Sequence, residues 1–195
     1  MLDSVFTKEY PTLPIHEKEA LRYSGIYGDA PETLYSLFLD CARETEKAVC
    51  NRICYRVCTA SQAIEWLEGC EEVRSRLDGA NYAVLFSATV GIEIDRLIAR
   101  YVQIAPTKAV LLQGLGAERV ETLCNAFCKE IEEKSREHGL RVGTRFSPGY
   151  GKFPLSAQEK MLFLTDSAKK IGVSATDSLM LSPTKSVTAI VAIGE

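Results

Sequence analysis

The sequence predicts a single α+β domain: a mostly antiparallel β-sheet with flanking helices. Three observations lead there. The 195 residues show no linker, repeat or low-complexity stretch, which fits one domain. Short apolar runs bounded by turn residues, NYAVLFSATVG at 81–91 being the clearest, alternate with segments of helical periodicity. The chain then closes on VSATDSLMLSPTKSVTAIVAIG, two strands joined around Pro183 and Thr184.

Each element has its own warrant. Residues 1–15, with Pro11, Pro14 and mixed polar composition, read as an extended arm. HEKEALRYSG (16–25) is a short helix closed by Gly25. The segment after Asp29 repeats Leu34, Leu37, Phe38 and Cys41 at helical spacing. Residues 52–58 are rich in β-formers and read as a strand. SQAIEWLEGCEEVRSRLDG carries Ile64, Leu67 and Val73 and forms one or two helical pieces ending near Gly79. GIEIDRLIARYVQIA places Ile94, Leu97, Ile98 and Tyr101 on one stripe. From Pro106, a long helix carries Val120, Leu123, Phe127 and Ile131 in register and ends at Gly139. A strand near 140–146, the loop RFSPGYGKFP (145–154) and a helix from the N-cap candidate Ser156 through Gly172 complete the order.

The totals narrow the function. The chain is 46% hydrophobic and 25% charged, with a net charge of −3, so no basic surface for nucleic acid is expected. No run approaches the roughly 18 apolar residues of a membrane span, and MLDSVFTKEYPTLP lacks a basic region followed by an apolar core. A cytoplasmic protein is expected. The seven cysteines (41, 50, 54, 58, 70, 124 and 128) are odd in number and include no CxxC pair. Within CNRICYRVC a helix would align Cys50, Cys54 and Cys58. A strand puts Cys54 and Cys58 on one side with Arg56 between them. Small buried apolar cysteines are the favoured reading over a metal site. AVLLQGLGAERVETL imitates the opening of a dinucleotide fold, but Arg119 stands where the third glycine belongs. Gly114 and Gly116 are better explained by close approach of a helix backbone to its neighbour. With only His16 and His138, a histidine-based centre has little material.

The loop RFSPGYGKFP concentrates functional potential. Pro148 and Pro154 pin the backbone, while Gly149 and Gly151 allow conformations and approaches closed to other residues. Arg145 offers a fork of donors to a carboxylate or phosphate, and Phe146 and Tyr150 offer ring faces to a base or a cation. A structural loop with Arg145 paired to a neighbouring Asp or Glu is the alternative.

This loop, followed by a helix and then TDSLMLSPTKSVTAIVAIG, resembles the activation (reactivation) domain of cobalamin-dependent methionine synthase. The R-x-x-P-G-Y motif falls on Arg145, Pro148, Gly149 and Tyr150; the terminal strand motif falls on Thr176-Asp177-Ser178, Pro183 and Ser186-Val187. Asp177 stands where that family has glutamate. LFSATVGIEIDRLIARY and the helix carrying GLGAERVETLC add to a likeness that residues 81–195 carry, with 1–80 as the N-terminal part of the same domain. The resemblance implies binding of S-adenosylmethionine by Arg145, Ser147, Gly149, Tyr150 and Glu121. Arg145 would take the carboxylate, Glu121 the ammonium, and Tyr150 would lie near the sulfonium; a solvated charge on a helix face is the other reading of Glu121. Asp3 and Asp29 are the candidates for the family's N-terminal ligand-binding aspartate.

The resemblance also implies an activity. Cobalamin that has oxidised to cob(II)alamin is remethylated from S-adenosylmethionine with an electron from a flavodoxin-like donor. A chain of this length would take its cobalamin from a separate methionine synthase or related corrinoid protein. The family's ligand-contacting tyrosine lies beyond the terminal strands, past Glu195. That departure supports a second reading, a corrinoid-protein docking module without ligand binding. An independent methyltransferase ranks last, because no glycine-rich strand–helix signature and no candidate base are present.

Overall fold

The computed structural model describes residues 4–68 and 70–195. Its elements are, in order, β1 (Val5–Glu9), α1 (Glu17–Tyr23), α2 (Glu32–Ala48), β2 (Arg52–Thr59), α3 (Ala60–Trp66), α4 (Glu71–Arg76), β3 (Ala80–Thr89), α5 (Glu93–Tyr101) and α6 (Pro106–Arg136). The chain continues with β4 (Arg141–Val142), α7 (Ala157–Leu164), α8 (Ser167–Ile171), β5 (Ser174–Ala175), β6 (Leu181–Ser182) and β7 (Ser186–Gly194). The main sheet has the order β1-β2-β3-β7-β4, with every neighbouring pair antiparallel, and β5 and β6 form a separate small sheet. This is the α+β architecture the sequence predicts. None of the helices among the described residues is long and apolar enough to cross a membrane.

The sheet is covered on both faces. Val84, Phe86 and Ala88 of β3 and Ala189 and Val191 of β7 pack with Leu112, Leu115, Leu123 and Phe127 of α6. The alternate residues, Ala83, Leu85 and Ile190, face Phe146, Phe153, Met161 and Leu164 together with Val73 and Leu77. A central strand buried on both sides needs apolar residues at nearly every position, which is why 81–91 reads as a continuous run. On β2, Cys54 and Cys58 are both fully buried on the side away from α6, as the strand reading of CNRICYRVC requires.

The helices close on α6 through its glycines. A Cβ on Gly114 would fall 2.0 Å from Ser24 Oγ and 2.6 Å from Ala20 O, and one on Gly116 would fall 2.9 Å from Ile94 Cγ2. Both glycines lie inside α6, so the GLG segment is a helix-contact surface and has no strand–turn–helix context. Gly25 takes φ +78° just past α1, as its capping role predicts.

Four expectations need correction. The N-terminal arm contains an edge strand, β1, paired along β2 from Val5↔Arg56 to Glu9↔Arg52. The helix from Ser156 is interrupted: Asp166 takes the left-handed conformation (φ 50°, ψ 37°) and separates α7 from α8, and Ser156 makes no side-chain cap. The strand near 140–146 pairs at Arg141 and Val142 and again only as a single bridge at Phe146. The terminal strands β6 and β7 flank Pro183 as expected but belong to different sheets.

The edge strand is held by side chains. Glu130 of α6 accepts hydrogen bonds from Lys8, from Tyr10 Oη at 2.7 Å and from Lys134 Nζ at 2.8 Å. Burial works against its ionisation, but the bonds from Lys134, Lys8 and Tyr10 outweigh it and hold the carboxyl down at about 2. A depressed carboxyl pKa stabilises the fold fully above the unfolded value of about 4.3, and the contribution fades as pH falls toward 2. Replacing Glu130 by glutamine is therefore expected to cost about 1 kcal/mol at neutral pH, after allowance for solvent screening. Urea melts should show that difference shrinking below about pH 4.

Candidate functional site

The site forms where the sheet edge comes apart. After β4, Gly143 N–H donates to Ala192 O at 2.9 Å, and the ladder resumes at Phe146, which exchanges backbone bonds of 3.0 and 2.8 Å with Ile190. Alternation then sends neighbouring side chains to opposite faces. Phe146 is buried beside Phe153, with ring centroids 5.7 Å apart. Arg145 reaches the other way, to α6, where Nη2 donates to Glu121 Oε2 at 2.5 Å. It also lies beside Cys124, a fully buried thiol that burial pushes up to about 12 against the opposing effect of Arg145. Burial works against the charge on Arg145, but Cys124 and Glu121 outweigh it and raise its pKa above the ordinary value. One terminal nitrogen, Nη1, is buried without a partner.

The loop that follows folds back on itself. Gly149, at φ +88°, donates its N–H to Phe153 O at 2.8 Å, and Phe153 N–H donates to Tyr150 O at 3.0 Å. Helix α4 braces it from outside. Glu72 accepts from Arg76 Nε at 3.0 Å and from Lys152 N–H at 3.4 Å, while Arg76 Nη1 donates to Thr144 Oγ1 at 3.4 Å.

These parts enclose a cleft of about 500 Å³, a size suited to a small-molecule ligand. Arg145, Ser147, Tyr150 and Glu121 all line it. Gly149 shapes the loop without forming part of the wall. Tyr150 is 75% exposed, so its ring is free to meet a ligand. The structure also adds wall residues that the sequence reading passed over: Tyr23 of α1, Arg76 of α4, Gln158 of α7 and Thr188 of β7. Ser186 and Val187, noted in the terminal motif, line it too. Thr176 and Ser178, from the same motif, shape the β5–β6 turn, where Thr176 Oγ1 and Ser178 Oγ are 3.0 Å apart. Gln158 donates to Leu179 O and accepts from Thr188 Oγ1 at 3.5 Å, tying that turn to the cleft. Asp29 lies in a different hollow, between α1 and α2, and Asp3 is outside the described residues.

A larger hollow of about 640 Å³ lies between β2, β3 and the end of α6. It is lined mainly by Tyr55, Val57, Phe127, Ile131 and other apolar groups, and its carboxylate, Glu130, is already occupied by Lys8, Tyr10 and Lys134. The smaller cleft gathers more polar groups, Arg76, Glu121, Arg145, Ser147, Tyr150 and Gln158 among them, and is the candidate site.

No family model matches the chain, and no curated protein matches it in sequence. Among solved structures it is similar to a crystal structure of the MetH reactivation domain bound to AdoHcy (S-adenosylhomocysteine), with a TM-score of 0.68 and 16% identity. The match covers 97% of this chain and 78% of that one. The chain therefore shares the fold of the MetH reactivation domain.

Proposed function

We propose that this protein is an S-adenosylmethionine-binding activation subunit that supports reductive remethylation of the cobalamin of a separate methionine synthase or related corrinoid protein. One observation carries the reading. Arg145 and Glu121, joined at 2.5 Å, line a ligand-sized cleft together with Ser147 and Tyr150, in a fold shared with a domain seen bound to AdoHcy. A hydrogen bond from a charged guanidinium to a carboxylate contributes about 1.5–3 kcal/mol.

Arg145 binds the ligand's carboxylate and Glu121 its ammonium. Ser147 and Gly149 contribute loop contacts, and the exposed face of Tyr150 lies against the sulfonium, where a ring face attracts a cation. S-adenosylmethionine supplies the methyl group, and a flavodoxin-like donor in the cytoplasm supplies the electron. The protein's own contribution is orientation: the braced loop fixes the ligand so that its methyl faces the corrinoid.

The test uses a corrinoid protein loaded with oxidised cobalamin, S-adenosylmethionine and a one-electron donor, followed by absorbance. The methylated corrinoid is expected only when this protein is added. Equal rates with and without it contradict the proposal. The second reading, a docking module without ligand binding, draws on the Arg145–Glu121 ion pair, which already matches two of the assigned ligand groups to each other. It predicts association with the corrinoid protein and no heat of binding with S-adenosylmethionine.

A further inference from the structure

The larger hollow, of about 640 Å³, shares no lining residue with the Arg145 cleft and has no part in the proposed remethylation. Its origin lies along α6. Residues four apart on a helix share a face, and the inward series runs Leu123, Phe127, Ile131 and Ser135. Leu123 and Phe127 pack into the main apolar core, with Ile131 against it. Ser135 is buried too, at 7% exposure, but its side chain is too small to fill the space that a large apolar residue would occupy. A gap is left between the last turns of the helix and Val57, Tyr82 and Ile193 of the sheet. Protein interiors are close-packed, so an open space of this size is unusual.

Two features fix what the gap can hold. Its rings are held in place by one another: Tyr55 stacks on Phe6 with centroids 5.4 Å apart, and Phe127 meets Tyr55 at 5.1 Å and Phe86 at 5.0 Å. Such walls offer water few hydrogen bonds and present ring faces and edges to another ring. The charges at the mouth are already matched. Glu130 accepts from Lys8, from Tyr10 Oη at 2.7 Å and from Lys134 Nζ at 2.8 Å. A ligand anion would compete with Glu130 for Lys134, and a ligand cation would compete with Lys8 and Lys134 for Glu130. Charge on the ligand therefore gains nothing and loses its hydration. We infer that the hollow is a second binding site, for an uncharged aromatic small molecule. Its volume lies within the range of small-molecule pockets, about 300–1,000 Å³. Ser135 and His138 supply the remaining polar groups of the lining, for a hydroxyl or carbonyl on the ligand.

The experiment titrates the full chain with N-phenyl-1-naphthylamine, an uncharged aromatic probe whose fluorescence rises in apolar surroundings. The comparison probe is 1-anilinonaphthalene-8-sulfonate, the same skeleton bearing a sulfonate. Wild type is expected to bind the uncharged probe saturably at one site, about 10-fold or more tightly than the sulfonate, because burying an unmatched charge is costly. Ser135→Leu fills the gap and Tyr82→Ser removes part of its wall; each should weaken the uncharged probe by about 10-fold or more while a cooperative thermal melt is retained. If Ser135→Leu fails to fold, Tyr82→Ser, at a position already 37% exposed, carries the test. Adding S-adenosylmethionine should leave the probe's affinity unchanged. No saturable binding to wild type, equal affinity for the two probes, or undiminished binding in a folded variant overturns the inference. Displacement of the probe by S-adenosylmethionine also overturns it, by placing the probe in the Arg145 cleft.

Discussion

Arg145→Ala is expected to weaken binding of S-adenosylmethionine by about 100-fold, because hydrogen bonds from a charged donor to a carboxylate are among the strongest available to a protein. The fold should survive. Arg145 sits at the sheet edge, beyond the paired part of β4, and its side chain belongs to none of the three apolar clusters. Its removal frees Glu121, which is already 36% exposed and able to take up water. Stability should therefore change by about 1 kcal/mol or less. Calorimetry gives the affinity and a thermal melt gives the fold. Unchanged affinity in a folded variant removes the carboxylate role.

Arg119→Met is expected to produce the largest loss of stability. Arg119 and Glu118 are 3% and 2% exposed and form adjacent buried charges on α6. Arg119 Nη1 donates to Leu13 O at 2.6 Å and Nη2 to Pro14 O at 2.7 Å, while Glu118 Oε1 accepts from His16 N–H at 3.1 Å and Thr122 Oγ1 at 2.6 Å. The pair therefore fastens the arm before α1 to the long helix. Removing only the arginine strands a buried carboxylate and two carbonyls, at a cost of about 3–5 kcal/mol. For a chain of this size that lowers the melting temperature by roughly 6–20 °C. The double variant Glu118→Gln/Arg119→Met should be less destabilised than Arg119→Met alone. A single variant within about 1 kcal/mol of wild type would show that the pair contributes little. Because α1 brings Tyr23 to the cleft, loosening this anchor should also weaken the ligand.

The contrast between these arginines shows what the sequence reveals. Arg145 stood out because prolines, glycines and aromatics surround it, and its ligand or ion-pair alternatives could both be named. The partner, Glu121, lies 24 residues away, and no local pattern announces the pairing. Arg119 looked like an interruption of a glycine motif. A buried ion pair on a helix has the same local signature as solvated charge, and only the arm that packs over it distinguishes them. Strand β3 was legible because burial on both faces from Ala83 onward makes it apolar at most positions there. Strand β1, VFTKE, was not, because an edge strand gains its structure from a partner some 50 residues on. The break at Asp166 was hidden by apolar residues on both sides of it. Tyr23 and Arg76 reach the cleft only through tertiary folding of the first 80 residues, where the family resemblance is weaker.

The measurement that tests the central claim most directly is calorimetric titration of the purified protein with S-adenosylmethionine, alongside Arg145→Ala. Saturable binding at one site, lost in the variant, is the predicted result. The absence of saturable binding to wild type, or equal binding to both proteins, contradicts the assignment of the Arg145 cleft as the ligand site.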